Sequence, residues 1–255
     1  MTIITDPVFY LLALPAVVAL GLSKGGFAGV GQLATPMLAL VMPPLEAAAI
    51  LLPIMMAQDA AALWVYRKEW SLRILLIVMP GALVGIGAAW AFAAYVSDSV
   101  VRVLIGVVTI GFVGWNWLGP AAKPRPANSP AVTAGIVSGI FSGFTSTLCQ
   151  AGGPPFHMWV LSLKVSKMNF VGTTAFFFAA VNALKVVPYF ALGQFSATGL
   201  STSVALLPFA MATNMLGFWV VRITPQELFY KITMVLMFAI SIELVRSGMT
   251  DILHC

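Results

Sequence analysis

Long stretches of the chain carry no charged residue, among them 74–97, 103–122 and 186–221. A helix needs about 20 predominantly apolar residues to cross the hydrocarbon of a bilayer. Inside that hydrocarbon no water bonds the backbone, so only helices and closed barrels can span it. The uncharged stretches do not alternate apolar and polar residues, as barrel strands of about ten residues would. The expected fold class is therefore an all-α polytopic membrane protein. Composition agrees: 60% of residues are hydrophobic and 8% charged, where a soluble domain carries about a quarter charged.

Ten apolar segments are expected to be helical: 7–22, 27–42, 45–66, 71–95, 99–118, 130–147, 153–163, 168–190, 197–221 and 226–247. The clear linker is "GPAAKPRPANSP", 119–130, whose prolines stiffen an extended path. It separates a first transmembrane repeat, 1–118, from a second, 131–255. Segments 27–42 and 153–163 are short and broken by glycine or proline. Gly31 to Met42 as a helix would reach only about 18 Å, against a core of about 30 Å. Residues 7–42 and 130–163 are therefore read as re-entrant or broken helical hairpins. Non-helical backbone at membrane depth has to face protein or a wet cavity.

Both ends of such a hairpin lie on one side, so sidedness can be counted. Arg67, Lys68, Arg73, Lys123, Arg125, Lys164, Lys167, Arg222 and Lys231 fall on one face, and Arg102 and Arg246 on the other. The positive-inside rule makes the linker cytoplasmic and both termini external. The net charge of +5 is explained by this topology, and nucleic acid is not an expected partner. The first segment lacks a basic leader and a small-residue cleavage site, so it reads as part of the fold. Cys149 and Cys255 form neither a disulfide framework nor zinc spacing, and no metal or cofactor is expected.

The chain repeats itself. "GLSKGGFAGVGQLATP", 21–36, aligns without gaps to "GIFSGFTSTLCQAGGP", 139–154, matching Gly21 to Gly139, Gly25 to Gly143, Gln32 to Gln150 and Pro36 to Pro154. Leu63 and Val65 match Leu184 and Val186 at an offset of 121, and "PGALVGIGAAW" from Pro80 resembles "PFAMATNMLGF" from Pro208. Each half holds a hairpin and three crossings. Three is odd, so the halves have inverted topology, an architecture of secondary transporters with a midplane site. A helix broken in the membrane exposes free N–H groups with partial positive charge, and glycine lets an anion approach them. Breaks near 29–32 and 150–153 would aim at one central anion.

Residues 21–70 resemble the first repeat of the TauE/SafE family of sulfite exporters and related permeases. "QAGGPPFHMWVL", 150–161, and "VGTTAFFFAAVNALKVVPYFALGQFS", 171–196, resemble its second. The resemblance implies a multi-pass transporter of the bacterial inner membrane, moving sulfite, organosulfonates or related small anions.

The candidate substrate-binding residues are Lys24, Gly31, Gln32 and Thr35 around the first break and Ser146, Gln150, Gly152 and Gly153 around the second. Asn182 and Lys185 join them from the following helix. A charge mid-helix costs at least about 2.5–3.5 kcal/mol, so Lys185 is an anion ligand or gating charge unless it snorkels to the interface. Gln32 and Gln150 offer amides or cap helix ends. Thr35, Ser146 and Thr147 offer hydroxyls or bond their own helices. Asp59 and His157 are the candidate coupling or charge partners, Asp59 as a proton carrier or in a salt bridge with Lys185. Expected partners are the anion, coupled protons, the lipid bilayer and a second copy in a homodimer. The chain has no P-loop, so gradients would drive it by alternating access. It also has no HExxH or G-x-S-x-G; an intramembrane enzyme and a non-transporting assembly subunit are the alternatives.

Overall fold

The computed structural model describes residues 3–24, 30–118, 132–163, 165–223 and 226–253. All its regular elements are helices: α1 Pro7–Lys24, a 3-10 turn Val30–Leu33, α2 Ala34–Leu38, α3 Pro44–Val65, α4 Leu72–Tyr95, α5 Asp98–Leu118, α6 Val132–Cys149, α7 Gly153–Ser162, α8 Lys167–Ala191, α9 Ala197–Ile223 and α10 Gln226–Leu253. Among the described residues, five helices are long and apolar enough to cross a membrane: Pro7–Lys24, Pro44–Val65, Leu72–Tyr95, Met168–Ala191 and Ala197–Gly217. Their outward faces are apolar, as lipid requires: Leu11, Leu76, Val204 and Met215 are all exposed. The linker expected at 119–130 lies outside the described residues.

Local chemistry sets the boundaries. Pro44 opens α3, where its missing N–H would be unpaired anyway. Ser71 Oγ accepts from the Ile74 N–H and Ser166 Oγ from the Asn169 N–H, capping α4 and α8. Gly193 at φ 66° ends the turn after α8. One expectation gives way. Within the expected segment 27–42, the described residues 30–42 are not one helix but a 3-10 turn, a five-residue α2 and a turn closed by Val41 N–H to Leu38 O at 3.0 Å. Apolar periodicity does not distinguish a short return leg from a long one; Pro36, which cannot donate, and the Pro43–Pro44 pair stop the helix early.

Packing follows small residues. α1 lies on α9, α6 on α4, α3 on α8 and α9, α8 also on α4, and α5 on α10. Gly81 and Gly85 of α4 face Gly139 and Gly143 of α6. A β-carbon on Gly85 would stand 2.1 Å from the Ile140 carbonyl oxygen, and one on Gly143 2.3 Å from that of Ala82. Without a hydrophobic drive in lipid, such close backbone approach is what holds helices together. The α1–α9 seam is built alike, with Gly217 against the Gly21 carbonyl oxygen at 2.4 Å from its would-be β-carbon.

Candidate functional site

α6 breaks after Cys149, and the 3-10 turn Val30–Leu33 of the first hairpin faces that break. The Gln32 amide nitrogen lies 2.9 Å from where a β-carbon on Gly153 would sit. Lys24, Gly31, Gln32, Gln150, Gly153 and His157 line one cavity of about 850 Å³, its open side included. α3 contributes Met55 and Ala62, with Tyr66 just beyond its end, and α8 contributes Phe170, Val171, Thr174, Ala175 and Phe178. The cavity thus runs from the tips toward the face where α3 ends and α8 begins. Those ends are tied together there: the Ser71 N–H donates to Thr173 Oγ1 at 3.0 Å, and Trp70 stacks on Phe176 at 4.6 Å.

The second tip is built by hydroxyls. Thr145 Oγ1 shares its hydrogen between the Phe141 carbonyl at 2.7 Å and the Ala151 carbonyl at 3.1 Å, while Ser142 Oγ donates to Gly152 at 2.6 Å and Ser138 Oγ to Pro155 at 2.7 Å. The carbonyls of the broken segment are therefore turned to α6 and satisfied. The N–H groups of Gly152 and Gly153 have no partner among the described residues. Pro154 and Pro155 have no N–H, so the start of α7 offers fewer donors than the four a helix ordinarily leaves free. Gly152 does not line the cavity; it packs on α6, where a β-carbon would stand 2.6 Å from the Ser142 carbonyl oxygen.

Gln150 sits in the left-handed region, φ 56°, where a glycine usually ends a helix. Its side chain accounts for the choice. Its Oε1 accepts from Lys185 Nζ, and its Nε2 donates to the Ala48 carbonyl at 3.4 Å. Lys185 is fully buried, neither snorkelling nor lining the cavity; its Nζ also donates to Ser146 O and Oγ, each at 3.1 Å. The expected Asp59–Lys185 bridge is replaced by a different pairing. Asp59 Oδ1 accepts from Lys24 Nζ, and Asp59 Oδ2 from Asn182 Nδ2 at 2.5 Å. Asn182 lies one turn before Lys185 and meets the carboxylate first, while Lys185 reaches on to the second tip.

Three buried polar atoms near this network have no partner among the described residues: Gln32 Oε1, Asn182 Oδ1 and His157 Nε2. His157 stands among the rings of Phe156, Phe170 and Phe178, at 5.9, 5.2 and 6.3 Å between centroids. Thr35 is buried, its hydroxyl has no partner among the described residues, and it does not line the cavity. Burial pushes the Tyr66 phenol above its ordinary value of 10.0, so it is a neutral hydroxyl at physiological pH. Among the described residues no three His, Cys, Asp or Glu side chains gather as a metal site would need. Sequence reasoning missed the aromatic wall. The signal was present: Phe170, Thr174 and Phe178 are four apart and share one face of α8.

Long apolar helices around a mostly apolar cavity, with Lys24, Gln32, Gln150 and His157 among its lining, define a polytopic helical membrane protein. The family model for sulfite exporter TauE/SafE matches residues 12–244, and the chain belongs to this family of membrane transporters. No curated protein and no solved structure matches it.

Proposed function

We propose that the chain is a secondary carrier for small anions of the bacterial inner membrane, sulfite, organosulfonates or their relatives, working by alternating access. The observation that carries the reading is the meeting of two broken hairpins at one cavity, with Lys24, two amide side chains and the Gly153 backbone at its inner end. An anion in hydrocarbon needs fixed donors, and this is where the fold concentrates them. Inverted halves are supported by exchanged packing: α1 on α9 is answered by α6 on α4, while α3–α8 and α5–α10 pair across. The cavity reaches the face of loop 66–71, which the positive charges make cytoplasmic.

Asp59 is the coupling residue of this reading. Its carboxylate neutralises Lys24; an arriving anion competes for the same ammonium, and a proton on Asp59 ends the competition. His157 and Lys185 are the other titratable or charged groups near the tips. Reconstituted in liposomes, the protein should move sulfite or a short sulfonate, with flux lost in Lys24→Met and Lys185→Met. Absence of flux across a panel of sulfur oxyanions, sulfonates and carboxylates, by well-folded protein, would overturn the reading.

A further inference from the structure

The contact between α3 and α8 has a two-fold character that locates two gates. Asp59 and Asn182 stand 123 positions apart on the equivalent helices of the two halves and bond each other at 2.5 Å. A residue that touches its own counterpart lies at a two-fold axis. Seven residues beyond each comes a tyrosine, Tyr66 on one helix and Tyr189 on the other, again 123 apart.

The surroundings of the tyrosines correspond at the same spacing. Tyr66 packs with Val171 and Ala175 of α8, and Tyr189 with Ala48 and Leu52 of α3. Val171 answers Ala48 and Ala175 answers Leu52, each pair 123 apart. The end of α3 meets the start of α8 and the reverse, so the helices are antiparallel. The tyrosines therefore lie on opposite sides of the axial pair, each about 10 Å from it at 1.5 Å per residue.

Both tyrosines are buried, Tyr66 with 8% of its surface exposed, and they differ in their relation to the cavity. Tyr189 is fully buried, its hydroxyl donates to the Thr147 carbonyl of the second tip at 2.5 Å, and the cavity stops short of it. Tyr66 lines the cavity toward the loop 66–71 face. We propose that Tyr66 and Tyr189 are paired gates of the central site: Tyr189 seals it on one face, Tyr66 borders the opening on the other, and transport exchanges their states. The proposal rests on the carrier reading for its purpose, but its test needs no substrate.

With Cys149 and Cys255 replaced by serine, a Thr174→Cys reporter sits in the cavity wall. Membrane vesicles of both orientations are treated with a membrane-impermeant maleimide. The parent should label from the face bearing Arg67 alone. Tyr189→Ala should raise labelling from the opposite face by about ten-fold or more, and Tyr189→Phe, which keeps the ring but frees it from Thr147, by less in the same direction. Tyr66→Trp should slow labelling from the first face. If Tyr189→Ala fails to insert, Tyr189→Phe and Leu52→Ala carry the test. Unchanged opposite-face labelling in the Tyr189 variants, or a parent labelled equally from both faces, overturns the gates. Gated labelling without flux would fail the substrate reading alone; normal flux with ungated labelling would fail the gates alone.

Discussion

Lys24 and Asp59 hold each other inside the protein, with side chains only 12% and 3% exposed. Removing one partner of a buried pair strands the other's charge, at a cost of about 3–5 kcal/mol. Lys24→Met should therefore lower the melting temperature in detergent. Lys24→Met combined with Asp59→Asn should restore much of it without restoring flux, which separates the structural role of the pair from its role toward the anion. Asp59→Asn alone should leave anion exchange intact and abolish its dependence on a pH gradient, read in liposomes with and without an imposed gradient. At Gln150, Gln150→Gly suits the left-handed backbone but takes an acceptor from Lys185, so flux should fall although the turn is relaxed. Polar residues set among glycines within a hydrophobic chain made Lys24, Gln32 and Gln150 legible. The choice of Asn182 over Lys185 as neighbour of Asp59 was not, because it depends on the rotation and tilt of α3 against α8.

Among the elements, the glycine seams carry the clearest consequence. A side chain at Gly85 or Gly139 would meet backbone carbonyl oxygens, 2.1 and 2.2 Å from its β-carbon, and backbone cannot swing aside. Gly85→Val should cost at least about 1–3 kcal/mol as an overpacking change and reduce the yield of folded protein in size-exclusion chromatography. Gly87, two residues on, has nothing within 4 Å of its would-be β-carbon. Gly87→Ala should be neutral or stabilising by up to about 1 kcal/mol through helix propensity. Helix positions were largely legible, since uncharged runs punctuated by proline, glycine and charges leave little freedom. The exceptions have local causes. α2 is cut short by prolines, and α10 runs on to Leu253 beyond the expected 247. Its last turns are held by Arg246 on Glu243 and by Asp251 accepting from Arg102 at 2.7 Å.

At the scale of the molecule, counting crossings suggested the inverted arrangement we propose, but not its register. Apolar residues substitute for one another freely, so the offset of 121 taken from Leu63 and Val65 and the 123 implied by Asp59 with Asn182 look equally good in one dimension. Only contacts across the centre tell them apart. The seams have one more implication. Each long hairpin leg is zipped to a helix of the opposite half, α1 to α9 and α6 to α4. The chain is thus cross-braced, like two hands gripping each other's wrists. Cutting it within 119–131 should give two fragments that are degraded when made singly and copurify when made together, as differential tagging would reveal. Neither half alone would cover its glycine ridge, so each half's stability is borrowed from the other.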